Sequence, residues 1–360
     1  MRKTIEPMKS LPLLWFGVYP GWFCLRLAIL VATSLSGLGA ATETPEQPAP
    51  PTPVFSVSPI DPSEISGIVP LGNLNPQGGH VFPTDHIYLD YGGKARLAVL
   101  APAEGTVYAI RDQLHGGAKI EIRVDAHLSY YLAHVLPDPA IRVGSPLKAG
   151  QVIGRVSGES LLDLGACDAR VRLRGFVNPA RYPESTLHTV SPLSLFAEPL
   201  RSQLLVKVRR ESPDKEGKID YDQPGKLVGN WFQESQPVPQ SRAGRPEVWA
   251  RQLAFVYDAR EPQAIRVSVG GTVAPAGLYA VQPGAPDPAS VGTDSGRVKY
   301  LLIAASALQN LAAAPANSAP VQGVLLVQLV DEQKLKVEWF AGKAAAAVER
   351  FTEAASLYLR

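Results

Sequence analysis

All six histidines and both cysteines of this chain fall in its first 200 positions. His86 follows Asp85 directly, and Asp90 lies four residues further on. His134 closes the run Tyr131-Leu132-Ala133-His134, and Cys167 and Asp168 stand together near the end of an apolar stretch. Imidazoles and carboxylates are the groups of proton transfer and of metal ligation. Each also has a structural alternative. His86 can be a structural histidine bonded to a neighbouring carboxylate, and His134 a satisfied core residue. Asp168 can be a turn residue or the partner of Arg170 or Arg172. Cys167 reads as a small buried hydrophobe, because a nucleophilic thiol needs an activating histidine and none is close in sequence. His80 and His188 flank this region without an assigned role.

The elements that must position these side chains are strands. His86 to Tyr91, Leu97 to Leu100, Thr106 to Ile110, Lys119 to Val124 and Ser129 to His134 are short apolar runs punctuated by glycine and proline. Ile120, Ile122 and Val124 alternate with Lys119, Glu121 and Arg123, the period-two pattern of a half-buried antiparallel strand. A first β-domain over residues 66–200 follows. Beyond it, Leu204 to Val208, Lys226 to Phe232, Leu253 to Tyr257, Ile265 to Val269, Lys299 to Ala304, Gly323 to Val330 and Lys336 to Phe340 predict a second β-rich domain, a barrel or sandwich, over residues 201–360. Val348, Phe351, Ala355 and Tyr358 recur at helical spacing and predict a C-terminal helix. The fold class is therefore mainly β. The second domain carries no phosphate loop, no Ser-His-Asp order and no Cys-rich metal motif. Its Gly229-Asn230-Trp231 is best read as a packing tryptophan at a strand start.

The N-terminal residues resemble an address rather than a fold. Arg2, Lys3 and Lys9 precede apolar stretches that fade into Gly39-Ala40-Ala41, as in a cleaved signal peptide over residues 1–41; an uncleaved N-terminal anchor is the alternative. Both place the remainder outside the cytoplasm, periplasmic or secreted, with membrane contact only through this segment. Residues 42–65 read as a Pro-rich linker. Of two cysteines, Cys24 would leave with the signal, so the mature chain cannot form an internal disulfide. A formal net charge of +2 gives no electrostatic case for nucleic acid.

Three stretches, in order, resemble the LytM-type (M23) metallopeptidases. They are His86-Ile87-Tyr88-Leu89-Asp90, then Val99-Leu100-Ala101-Pro102-Ala103-Glu104-Gly105-Thr106-Val107, then Tyr131-Leu132-Ala133-His134 with Lys148-Ala149-Gly150-Gln151-Val152-Ile153-Gly154. In that family zinc is held by the histidine and aspartate of His-x-Gly-x-Asp and by the second histidine of a His-x-His pair. The resemblance implies His86 and Asp90 as two metal ligands and His134 as the histidine assisting a metal-bound water. It sets the third ligand on Asp168 and the other histidine of the pair on Ala166.

The departures from the pattern weaken catalysis. Four residues of extended strand span about 13 Å, while Zn–N and Zn–O bonds are about 2 Å, so the chain must bend between His86 and Asp90. Tyr88 stands where glycine would ease that bend. Loss of one imidazole typically removes about 10²–10³ in rate. The expectation is an exported cell-envelope protein with a degenerate active site, non-catalytic, binding peptidoglycan peptide or an envelope protein partner. The first alternative is an active zinc endopeptidase acting on peptidoglycan cross-links. The second is a β-barrel carrier of a small apolar ligand.

Overall fold

The structure is a computed structural model, and it describes residues 54–94, 96–113, 116–236, 246–304 and 320–360. The segment expected to be a signal or anchor lies outside the described residues. Among those described, no helix is long and apolar enough to cross a membrane.

Ten strands build the first module: β1 (Gly67–Val69), β2 (His86–Asp90), β3 (Ala98–Leu100), β4 (Gly105–Asp112), β5 (Ala118–Arg123), β6 (Leu128–Pro137), β7 (Pro146–Leu147), β8 (Val152–Val156), β9 (Leu161–Asp168) and β10 (Thr189–Val190). They pair in the order β1-β2-β9-β6-β5-β4-β7; β8 joins β3 to β6, and β10 adds to β9. All named pairs are antiparallel. In β5 the expected alternation is realised, with Ile120 and Ile122 fully buried between part-exposed Lys119 and Glu121. Leu162, Leu164, Leu132, Tyr130 and Ile87 join them in one continuous core.

The stretch read as linker does not stay free at its end. Phe55 is fully buried, with its ring edge-on to Tyr130 at 5.2 Å and to Phe196 at 5.1 Å, and Ile60 and Ile65 enter the same core. Proline content marked this segment as extended; from Val54 onward it is irregular, with a 3-10 turn at Pro62–Glu64. Its aromatic and branched residues nevertheless bury enough surface to bind it to the sheet.

The second module is a closed barrel, not a sandwich. Its strands are β11 (Gly229–Gln233), β12 (Gln252–Tyr257), β13 (Ile265–Val269), β14 (Gly277–Val281), β15 (Val298–Ala304), β16 (Val321–Asp331), β17 (Lys334–Ala341) and β18 (Ser356–Leu359), each paired to the next, with β18 returning to β11. Trp231, Leu253, Phe255, Val267, Tyr300, Leu325, Leu335 and Tyr358 fill its interior.

Two expectations need correction. The C-terminal helix is absent among the described residues: Ala345–Ala347 form a single 3-10 turn, and Ser356–Leu359 are the strand that closes the barrel. The helical spacing misled because its residues serve two different surfaces. Val348 and Phe351 cover the outer face of β16 with Val324 and Leu326, while Tyr358 points into the barrel. Likewise Leu204 to Val208 is not a strand. Leu200–Leu205 form a short helix, α1, that buries Leu204 against the first core.

Candidate functional site

Strand register decides which side chains meet. Across β2, β9 and β6, His86 pairs with Gly165 and Gly165 with Tyr131; in the next row Tyr88 pairs with Asp163 and Asp163 with Ala133. Because side chains alternate between faces, His86, Tyr88, Asp163, Gly165 and Tyr131 share the face opposite the leucine core. Gly165 is a spatial requirement there, since a Cβ would lie 2.3 Å from the Tyr131 ring. Its bare backbone lets the Tyr131 ring lie across β9 and reach the residues of β2.

A closed polar cluster results. The Tyr131 hydroxyl donates to Asp85 Oδ1 at 2.9 Å and lies 3.0 Å from His86 Nδ1, which is itself 3.1 Å from Asp85 Oδ1. On the other side of the ring, His86 Nε2 is 3.5 Å from Asp163 Oδ2, and His134 Nε2 is 3.3 Å from that same oxygen. One buried carboxylate oxygen therefore faces two imidazoles. The His80 ring stands edge-on to His86 at 5.2 Å, and Lys119 Nζ sits 3.5 Å above the Tyr131 ring. His86 and Asp163 are only 5% and 4% exposed.

The electrostatics follow from that enclosure. Burial alone would push the Asp85 carboxyl up, but the hydrogen bond and charge of His86, with Lys119 and Tyr131, hold it well below the usual carboxylate range. Asp163 is likewise held low against burial by His86, His134 and His80. His134 is raised by its hydrogen bond to Asp163, against burial. His80 is lowered to about 4, first by burial and then by the neighbouring His86. Among the described residues, His86 Nε2, His134 Nδ1, Asp163 Oδ1 and the Tyr88 hydroxyl find no hydrogen-bond partner.

His134 reaches this cluster through a bulge. Pairing between β5 and β6 slips between Ala118 and Ile120, and His134 takes a left-handed backbone with φ of 63°. Such a conformation is uncommon outside glycine, and bulges re-aim side chains. Gln113 Oε1 accepts from the His134 N–H at 2.6 Å, and Gly117 opposite leaves room, since a Cβ there would lie 3.0 Å from the His134 carbonyl carbon.

Of the sequence-derived candidates, His86 and His134 are brought together at Asp163, and Asp90 and Asp168 are not. Asp90 lies at the far end of a regular strand from His86, about 13 Å away by strand rise, and pairs with Arg209 at 2.9 Å. Asp168 lies on the core-facing parity of β9, with Leu162, Leu164 and Ala166, where Arg170 binds it at 2.7 Å. Cys167 is half-buried, and burial pushes its thiol up. Two carboxylates meet His86: the adjacent Asp85 at Nδ1, and at Nε2 Asp163, which sequence reasoning missed. Its signal was a lone acid inside the apolar run Leu161-Leu162-Asp163-Leu164. Among the described residues, no group of three His, Cys, Asp or Glu side chains is arranged to hold a metal ion. The His86, Asp90 and Asp168 set therefore does not fit zinc.

No family model and no curated protein sequence matches the chain. Solved structures do overlap with it. The likeness is to M23 peptidases. Helicobacter pylori Csd3 overlaps at 19% identity over 41% of this chain and 35% of Csd3, with a TM-score of 0.30. A zinc-containing peptidase from Vibrio cholerae overlaps at 20% identity over 33% of this chain and 38% of its own, with a TM-score of 0.27. The catalytic domain of lysostaphin from Staphylococcus simulans overlaps at 19% identity over 36% and 88% of the two chains, with a TM-score of 0.24. The chain thus spans little more than a third of Csd3 and of the Vibrio peptidase. Overlaps of this extent carry no argument about activity, substrate or metal. The M23-like character of the first module rests on its motif order.

Proposed function

We propose that this protein is an exported, non-hydrolytic M23-like module joined to a β-barrel, and that it binds peptidoglycan peptide or an envelope protein partner. The observation that supports this reading is the closure of the His86–Asp163–His134 cluster on itself. A hydrolytic centre must offer a water and a substrate carbonyl a place within about 3 Å of its acid–base groups. Here the imidazoles and the carboxylate face one another, and Tyr88, Tyr131 and His80 close over them. The packed barrel interior makes the carrier reading the weaker alternative.

The spacing of the two Nε2 atoms from Asp163 Oδ2 is the one feature that favours an active metal enzyme instead, and it sets the test. Elemental analysis of the purified mature protein under zinc-replete conditions, beside Asp163→Ala, is expected to give well under one zinc per chain in both. One zinc per chain in the wild type, lost in the variant, would replace this reading with the peptidase. Co-sedimentation with insoluble peptidoglycan then separates the two binding modes. Retention of the intact protein indicates cell-wall peptide, and its absence leaves the protein partner.

A further inference from the structure

The two modules meet around a cavity that borders the cluster above through His80 and Asp85. Its volume is about 240 Å³, and its wall includes His80, Phe82, Phe176, Arg181, Tyr182 and Trp249. The aromatic residues come from both modules: Phe82 lies edge-on to Phe232 of β11 at 5.0 Å, and Tyr182 does so at 5.4 Å. Trp249 closes against the backbone of Gly79, where a Cβ would stand 2.5 Å from the indole.

Arg181 is the exception in this wall. It is 94% buried, being 6% exposed, and its Nε and Nη1 have no hydrogen-bond partner. Among the described residues, the ring of Phe232 supports its guanidinium, 4.9 Å away. Burial lowers its pKa, with no carboxylate to offset the effect. An unpaired buried charge is costly, and folded proteins pair such groups or remove them. Asn230 adds a second unmet group, its Oδ1, 2% exposed as a residue. Asp85 also lines the cavity, but Tyr131 and His86 already engage its carboxylate.

We propose that this cavity is a binding site for a small organic monoanion, a carboxylate carried on an aromatic or compact apolar body. The carboxylate would accept from Arg181, which presents its donors in a fork matching carboxylate geometry. The aromatic wall would take the apolar body, and Asn230 Oδ1 would accept from a ligand N–H. Arg181 is the lone Lys or Arg of the wall, which suits one negative charge rather than a phosphate dianion. The volume lies below the range of about 300–1,000 Å³ for drug-sized ligands, so the occupant is small. This site is independent of the proposed function, because no residue of the His86–Asp163–His134 cluster supplies its anion contact.

Isothermal titration of the full chain tests the assignment, with benzoate, N-acetylphenylalanine, and benzamide and N-acetylphenylalanine amide as uncharged controls. Binding of one acid is expected at millimolar affinity or better, about tenfold or more above its amide, with loss in Arg181→Met. Preference for benzoate indicates a free acid, and preference for N-acetylphenylalanine the carboxylate end of a peptide. A thermal melt without ligand supplies an independent readout. Arg181→Met keeps the apolar stem and removes the unpaired charge, so its Tm should match or exceed the wild type. Failure of both acids to bind, equal binding to Arg181→Met, or a clear fall in Tm in that variant would each overturn the proposal.

Discussion

The barrel interior and the polar face of β2, β9 and β6 are both buried, yet they are assembled on opposite terms. Inside the barrel, apolar side chains fill the space, and the few polar atoms are spoken for. Trp231 Nε1 donates to the Leu227 carbonyl at 2.8 Å, and the Tyr300 hydroxyl donates to the Pro286 carbonyl at 2.9 Å. On the sheet face, His86, His134 and Asp163 leave polar atoms without partners, and His134 holds a left-handed backbone. Unsatisfied buried groups and backbone strain collect at functional positions. The barrel thus carries stability by packing, whereas the sheet face buries charged and polar groups that satisfy one another only in part.

That contrast predicts unequal responses to substitution. The largest belongs to the barrel. Trp231 is fully buried with the Arg360 guanidinium 3.9 Å from its ring, so Trp231→Ala should cost about 3–5 kcal/mol. Urea unfolding followed by circular dichroism measures it. A loss under about 1 kcal/mol would break the view that the barrel is held by its packed centre. An intermediate effect belongs to Gly165→Ala. The new methyl would overlap the Tyr131 ring, and overpacking typically costs about 1–3 kcal/mol. The ring must move away from Asp85, so the hydrogen bond from Tyr131 should be lost with it. A raised Asp85 pKa in carboxyl-resolved NMR titration would register that loss; an unchanged one would mean that the tyrosine does not help hold the charge.

The same contrast explains what could be read in the sequence. Alternation in Ile120 and Ile122, and in Ile265, Val267 and Val269, marks strands because each faces one apolar core; their number left barrel and sandwich open, and the closure came from the structure. The reading failed where residues of one segment serve two surfaces. Val348 and Tyr358 share a helical spacing but face the outside and the inside of the barrel. The site was legible in its histidines and not in its carboxylate. Asp90 and Asp168 stood at family spacing, but a metal site also needs a bend after His86 and the correct strand parity. The straight strand through Tyr88 removes the first. The second fails because Asp168 is five residues from Asp163, an odd number, which in a strand means the opposite face. The bulge that brings in His134 had no sequence signal beyond Gly116 and Gly117 across the hairpin.

The last effect is a pH dependence, and its histidine part can be assigned to one module because all six histidines precede residue 200. His80 is lowered to about 4 in the folded protein, against about 6.5 when unfolded. Between those values the unfolded chain binds more protons, so stability falls as the pH drops from about 6.5 toward 4. His134, whose pKa is raised, contributes stability that is complete below about 6.5 and is lost only at higher pH. Asp85 and Asp163, both held low, lose theirs below about 3.9. Asp222 is raised by burial and acts in the opposite direction to His80 as acid is added. The informative quantity is therefore a difference between two proteins. Melting temperatures of the wild type and His80→Gln, taken at intervals from pH 7 to pH 4.5, should diverge, with the variant declining less steeply. Parallel curves would mean that His80 is hydrated in the folded state and that the polar face is more open than its packing against His86 indicates.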